Sequence, residues 1–160
     1  MAAASPCGPS AVVSSAAVKI DAAARTVWQV LTDLHDYPIW NPLCMSAEST
    51  LALGDPITMV LANPGHGSLS RTEYICARIE ERQLSWEAPS CMQSNGAVRR
   101  DHVIECLDEH SCCYRTSIVV TGTGVLDAAL PKKYGALELS DFVRALKFRS
   151  ELLERCAATQ

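Results

Sequence analysis

Residues 20–43 read IDAAARTVWQVLTDLHDYPIWNPL, and this stretch decides the fold. It joins a strand end, an amphipathic helix and an aromatic turn punctuated by Pro38 and Pro42. Ala24, Val27, Trp28 and Leu31 recur at helical spacing, which predicts one apolar stripe on a helix over residues 22–32. Asp21 stands where a carboxylate can accept from the free amides of the first turn, so it is the expected N-cap. Residues 33–42 predict a turn or a short second helix broken by the two prolines. A sheet that grips a helix around an internal cavity begins in this way.

The same logic extends outward. Upstream, residues 12–20 predict a first strand. Downstream comes a run of short segments: residues 45–50, a Gly54-Asp55-Pro56 turn, residues 57–62, and a tip at Asn63-Pro64-Gly65-His66-Gly67. Residues 71–81 alternate, with Ile75, Ala77 and Ile79 on one face and Arg71 and Glu73 continuing it. Leu84-Ser85-Trp86 is a further short strand. Residues 98–107 place Arg100, His102, Ile104 and Cys106 together, and residues 112–121 do the same for Tyr114, Thr116, Ile118 and Val120. Spacing this regular favours antiparallel hairpins over crossover units, hence an α+β class. The tail then changes period. Leu139, Phe142, Val143, Leu146 and Leu153 recur at helical intervals, with Asp141, Arg144, Glu151, Glu154 and Arg155 opposite and Glu151 four residues before Arg155. Ser140 caps that long helix, or the helix begins nearer Tyr134. Its broad apolar stripe requires a concave partner, which the sheet supplies.

Composition sets the outer limits. A chain of 160 residues fits one domain, and at that size buries roughly 70% of the surface exposed when unfolded. Residues 1–11 read as a disordered tail and residues 12–160 as one domain. The formal net charge is −4, and Arg99-Arg100 and Lys132-Lys133 are the sole basic doublets, which argues against a nucleic-acid partner. No run approaches the ~20 apolar residues of a membrane span, and the start lacks the basic and apolar regions of a secretory signal. The expectation is a cytoplasmic protein without membrane insertion, as monomer or homodimer. Eight cysteines without a CxxC pair read as free, mostly buried thiols in a reducing compartment. The four histidines show no ligand spacing, so no metal is expected.

Three segments, Val18-Lys19-Ile20-Asp21-Ala22, Val27-Trp28-Gln29-Val30-Leu31-Thr32-Asp33 and Tyr37-Pro38-Ile39-Trp40-Asn41-Pro42, resemble the SRPBCC superfamily. This is the helix-grip or START-like group that includes polyketide cyclases and dehydratases and Bet v 1-like proteins. Leu84-Ser85-Trp86, His102 within Asp101-His102-Val103-Ile104, Gly122 or Gly124, and Ala145-Leu146-Lys147 extend the likeness in order across residues 12–157. Two positions depart from the pattern: Ala23 replaces the usual proline, and Ile118 stands where many relatives place a carboxylate. The resemblance implies a curved antiparallel sheet of about seven strands wrapped around the C-terminal helix. Two short helices follow the first strand, and a cavity holds an apolar or aromatic small molecule.

Within that frame the candidate residues each admit two readings. His102 is either a proton shuttle or a buried imidazole bonded to a strand neighbour. Arg100 holds a carboxylate or enolate, or is a solvated rim charge. Arg71 and Glu73 form an acid–base or anchoring pair, or a surface ion pair. Tyr114 donates to a ligand carbonyl or fills the core. The expected catalytic set is His102, Arg100, Tyr114 and Glu73. The expected cavity lining is Trp40, Asn41, Met59, Arg71, Ile75, Trp86, Ile104, Thr116, Ile118, Phe142 and Leu146, with the His66 loop as a lid or an exposed tip. Two functions remain open: a cofactor-free cyclase, dehydratase or isomerase of secondary metabolism acting on a polyketide-like or other apolar carbonyl-bearing metabolite, or a non-catalytic carrier of an apolar molecule or lipid.

Overall fold

A computed structural model describes residues 10–63, 65–88, 97–121 and 136–159. Of the expected tail over residues 1–11, Ser10 and Ala11 instead belong to a strand, and residues 1–9, with Cys91, Pro64, Gly122, Gly124, the Lys132-Lys133 doublet and Tyr134, lie outside the described residues. Eight strands, all paired antiparallel, make one sheet: β1 (Ser10–Ser14), β2 (Val18–Ile20), β3 (Cys44–Glu48), β4 (Pro56–Asn63), β5 (Gly67–Ile79), β6 (Gln83–Ala88), β7 (Ala97–Asp108) and β8 (Ser111–Thr121). Their order is β1-β8-β7-β6-β5-β4-β3, and β2 also pairs with β8. The helices are α1 (Ala24–Thr32), a 3-10 turn (Leu34–Asp36), α2 (Tyr37–Trp40) and α3 (Ala136–Ala158).

The single first strand expected over residues 12–20 is two strands. Ser15 interrupts it: its N–H donates to the Thr116 carbonyl, and its hydroxyl accepts from the Thr116 N–H at 3.1 Å. The chain thus bridges β8 through a side chain before resuming the ladder at Val18, and the described residues hold eight strands, in keeping with the sheet of about seven expected. Asp21 is not the N-cap of α1. The chain turns inward at Ala22 and Ala23, both buried, and the helix starts at Ala24 with Ala23 at the cap position and no side-chain cap. Asp21 instead pairs with Lys19 at 3.3 Å, and its N–H donates to Glu151 of α3. Ser140 lies inside α3, not at its start. Glu151 turns back one turn to Lys147 at 2.5 Å rather than forward to Arg155.

The expected apolar faces form the core. Ala24, Val27, Trp28 and Leu31 of α1 and Leu139, Phe142, Val143 and Leu146 of α3 are all buried. The helix α3 packs on α1, α2, β1, β2 and β8. One residue falls off its predicted face: a bulge between Ile75 and Ala77 shifts the register of β5, and Ile79 is exposed. Such an extra residue re-aims every side chain after it. The β5–β6 turn is tight, with Glu81 in the left-handed region at φ 58° and the Arg82 N–H donating to the Ile79 carbonyl. The described cysteines are free, but only Cys44 and Cys112 are buried. Cys113 is partly covered, while Cys76, Cys106 and Cys156 are exposed, because they lie on the outer sheet face, the sheet end and the tail of α3. No described helix is long and apolar enough to cross a membrane.

Candidate functional site

Side chains alternate along a strand, so the ladder registers fix which residues share the inner face. On β7, Arg100, His102 and Ile104 face Trp86 and Leu84 of β6 on one side and Ile118, Thr116 and Tyr114 of β8 on the other. On β5, Arg71, Glu73 and Ile75 continue the face, with Met59 opposite Arg71 and Trp86 opposite Ile75. The helix α3 covers this surface with Phe142 and Leu146. The face expected from alternation is therefore shared by β7, β8 and β5 as far as Ile75, where the bulge ends it. At the end of β7 the face reaches solvent, and Cys106 is exposed rather than covered.

The centre is a pair. His102 Nδ1 and the Tyr114 hydroxyl lie 2.6 Å apart, and both residues have no exposed surface. Three rings surround the imidazole: Trp86 at 4.6 Å, Phe142 at 5.4 Å and Tyr114 at 6.2 Å between centroids. Burial, helped by the nearby Arg100 charge, holds the imidazole well below its ordinary range, so it is neutral at neutral pH. Burial likewise pushes the Tyr114 phenol well up, against the opposing pull of Arg100. His102 Nε2 is buried with no hydrogen-bond partner among the described residues. A buried polar atom left unpaired is costly, and its persistence needs an explanation.

A charged strip flanks the pair. Arg71 Nη1 stands 3.6 Å from Glu73 Oε1, with the arginine side chain about a third exposed and the glutamate almost wholly covered. Burial raises the Glu73 carboxyl, and Arg71 and Arg100 pull it back down. The Arg100 guanidinium lies 5.9 Å from the centre of the Phe142 ring, a cation–π contact. Burial lowers its affinity for the proton, while Tyr114, Glu73 and Glu138 of α3 oppose that. One buried carboxylate thus pairs with Arg71 and also feels the Arg100 charge, next to the neutral pair.

Other expected site residues take structural places. Thr116 donates to the Asp101 carbonyl at 2.9 Å. Asn41 Oδ1 accepts from the Leu43 N–H at 3.0 Å, a local turn contact. Trp40 packs edge-on against Tyr37 at 5.0 Å and Phe142 at 5.3 Å. Met59, Ile75, Trp86, Ile104, Ile118, Phe142 and Leu146 are buried. His66 sits exposed at the β4–β5 tip. The region read as a hollow is occupied, around His102, by these rings in mutual contact. Among the described residues a cavity of about 700 Å³ lies on the outside, between α2 and the flank of α3, lined by Ile39, Trp40, Ala145, Phe148 and Leu152 among others. Its signal was in the sequence as a second apolar row on α3, and the reading of a single stripe passed over it. Tyr37 was also passed over; its hydroxyl donates to the Leu31 carbonyl at 2.7 Å and pins α2 to α1. Among the described residues no three His, Cys, Asp or Glu side chains gather to hold a metal ion.

No protein-family model matches the chain, and no curated protein resembles it in sequence. Solved structures do share its architecture. A START superfamily protein from Mycobacterium smegmatis superposes with a TM-score of 0.70 at 20% identity, covering 89% of this chain and 98% of that one. Truncated norcoclaurine synthase from Thalictrum flavum gives 0.67 at 12% identity, covering 91% and 96%. The di-domain ARO/CYC protein BexL, from the BE-7585A biosynthetic pathway, gives 0.68 at 14% identity, covering 91% of this chain and 47% of its own. At these identities the likeness shows the fold, which is the helix-grip, START-like fold.

Proposed function

We propose that this protein is an acid–base catalyst that needs no cofactor. It would act as a cyclase, dehydratase or isomerase on an apolar, carbonyl-bearing small molecule admitted between the inner sheet face and α3. The observation that supports this reading is the buried His102–Tyr114 pair with His102 Nε2 left unpartnered. We assign His102 the tautomer in which Nδ1–H donates to the Tyr114 oxygen, which leaves a bare lone pair on Nε2.

A neutral imidazole so oriented is a base. It takes a proton from the carbon beside the substrate carbonyl: the C–H bond breaks, an N–H bond forms, and the electron pair moves onto the carbonyl oxygen. Arg100, a half-buried cation two residues away on the same face, balances that charge. In a dehydration the imidazolium returns the proton to the departing hydroxyl, which leaves as water while the enolate closes to an alkene. In a cyclisation the enolate carbon attacks a second carbonyl, whose π bond breaks, and the imidazolium returns its proton to the new alkoxide oxygen. Because Phe142 covers the imidazole, the guest must displace that ring, and a movement of α3 is part of binding.

The competing reading, carriage without turnover, draws on the apolar majority of the same face: Ile57, Met59, Ile75, Leu84 and Ile104 are all buried there. One experiment separates the two. An aryl alkyl ketone is incubated with the protein in deuterated water, and loss of its α-proton signal is followed by NMR. Exchange above the buffer rate in the wild type, lost in His102→Gln, is the expected result. Binding of the ketone with no enhanced exchange assigns the protein to carriage.

A further inference from the structure

We infer that Cys106 and Cys112 are a modification site, a thiol pair that closes to a cross-strand disulfide on mild oxidation. Neither residue belongs to the charged strip or to the His102–Tyr114 pair. The register makes Cys106 of β7 and Cys112 of β8 direct Cα partners. Directly opposed residues of antiparallel strands lie about 4.5–5.5 Å apart at Cα, within the roughly 4.4–6.8 Å that a disulfide spans. Their side chains share a face: two residues earlier on the ladder, Ile104 and Tyr114 are partners and both point inward. Cys113, the neighbour of Cys112 in sequence, points to the opposite face and is partnered with Glu105 and Lys19. Alternation thus selects one partner for Cys106 from two adjacent thiols.

The two thiols differ as an attacking and a resolving cysteine do. Cys106 is exposed at the sheet end, and Cys112 is fully buried where β2 joins β8 through Ile20. The Cys106 thiol now points to the Asp108 carbonyl at 3.4 Å, and rotation about its Cα–Cβ bond swings it toward Cys112. The register break between Cys106 and Asp108 leaves Leu107 outside the ladder, which gives this end of β7 room to adjust.

The chemistry balances with a peroxide as oxidant. The Cys106 sulfur takes one peroxide oxygen, forming sulfenic acid and releasing water. The Cys112 sulfur then attacks that sulfur; the S–S bond forms, the S–O bond breaks, and the hydroxyl leaves with the Cys112 proton as a second water. Two thiols lose two electrons, and the peroxide gains them. Burial, with the neighbouring Cys106 and Cys113, pushes the Cys112 thiol up to about 12, so the second step quickens as pH rises. The link ties the two strands that carry His102 and Tyr114, at a point two residues from Tyr114 and four from His102.

The test uses the full-length protein treated with limiting hydrogen peroxide, then blocked with N-ethylmaleimide. Cleavage after Glu109 separates Cys106 from Cys112, and unreduced fragments are mapped by mass. The expected result is an intramolecular species lighter by about 2 Da, two hydrogens. It joins these fragments, is abolished by Cys106→Ser and is retained in Cys113→Ser. The inference is overturned if no link forms, if a link survives Cys106→Ser, if Cys113→Ser removes it, or if oxidation gives only covalent dimers. None of these outcomes depends on catalysis at His102.

Discussion

His102 shows how one residue carries both stability and chemistry. Its imidazole titrates well below the ordinary value because burial disfavours the charged form. In the unfolded chain the same group binds its proton near the usual value, about 6.5. The unfolded state therefore takes up more protons as pH falls below that value, and the contribution of neutral His102 to stability is lost progressively toward its folded pKa. His102→Gln removes this titration. The expected outcome is a flatter dependence of the urea midpoint between pH 7.5 and 5.5 than in the wild type, whatever the absolute stability of the variant. Parallel slopes in the two proteins would mean that the imidazole is not held neutral by its surroundings. Gln is preferred to Ala here, because Ala leaves a void among Trp86, Phe142 and Tyr114.

At the level of elements, α3 does two jobs on two faces. Its inward row, Leu139, Phe142, Val143 and Leu146, closes the core, and Leu146 has no exposed surface. Leu146→Ala is expected to lower stability by about 2–5 kcal/mol, the usual range for a buried leucine truncated in a close-packed core, read by chemical denaturation. A shift too small to resolve would mean that the core relaxes around the gap. The second half of α3 is latched to the β2–α1 corner. Lys147 donates to the Lys19 carbonyl at 2.7 Å and to Glu151, Glu151 accepts from the Asp21 N–H, and Thr26 donates to Glu154. Burial pushes the Glu151 carboxyl up, and the Lys147 and Asp21 hydrogen bonds outweigh it, so the group titrates below its ordinary value. A carboxyl depressed in the folded state stabilises above the unfolded pKa, about 4.3, and loses that effect as pH falls below it. Glu151→Gln is accordingly expected to be less stable than the wild type at pH 7 and to converge with it near pH 3. A gap that persists at pH 3 would assign the loss to packing rather than charge.

At the scale of the whole molecule, three rings pack on His102 between sheet and helix, so a guest that reaches the imidazole competes with Phe142. That competition makes Phe142→Ala informative in two directions. Stability is expected to fall by about 3–5 kcal/mol through the lost ring, while an aryl ketone or similar apolar probe gains affinity because no side chain has to be displaced. Thermal shifts with and without the probe read both effects, since a ligand that binds only the folded state raises the midpoint by mass action. A variant that is destabilised without any gain in probe affinity would place the guest elsewhere, the outer groove beside Phe148 being the next surface to test.

Alternation and helical period depend on chain neighbours alone. The sequence by itself therefore determined the antiparallel strands, the inward rows of β5, β7 and β8, the buried stripes of α1 and α3, and the grip of sheet on helix. What needed the tertiary structure were the features set by contacts between distant residues. Ser15 breaks the first strand because Thr116, a hundred and one positions away, meets its hydroxyl. Asp21 is no cap because the buried Ala22 and Ala23 stand between it and the helix start at Ala24. His102 and Tyr114 share a face in any reading of the two strands, but only the hairpin register sets them 2.6 Å apart. Whether the interior stays hollow was likewise undecided by pattern, because apolar periodicity says which side chains turn inward and nothing about whether their volumes fill the space they reach.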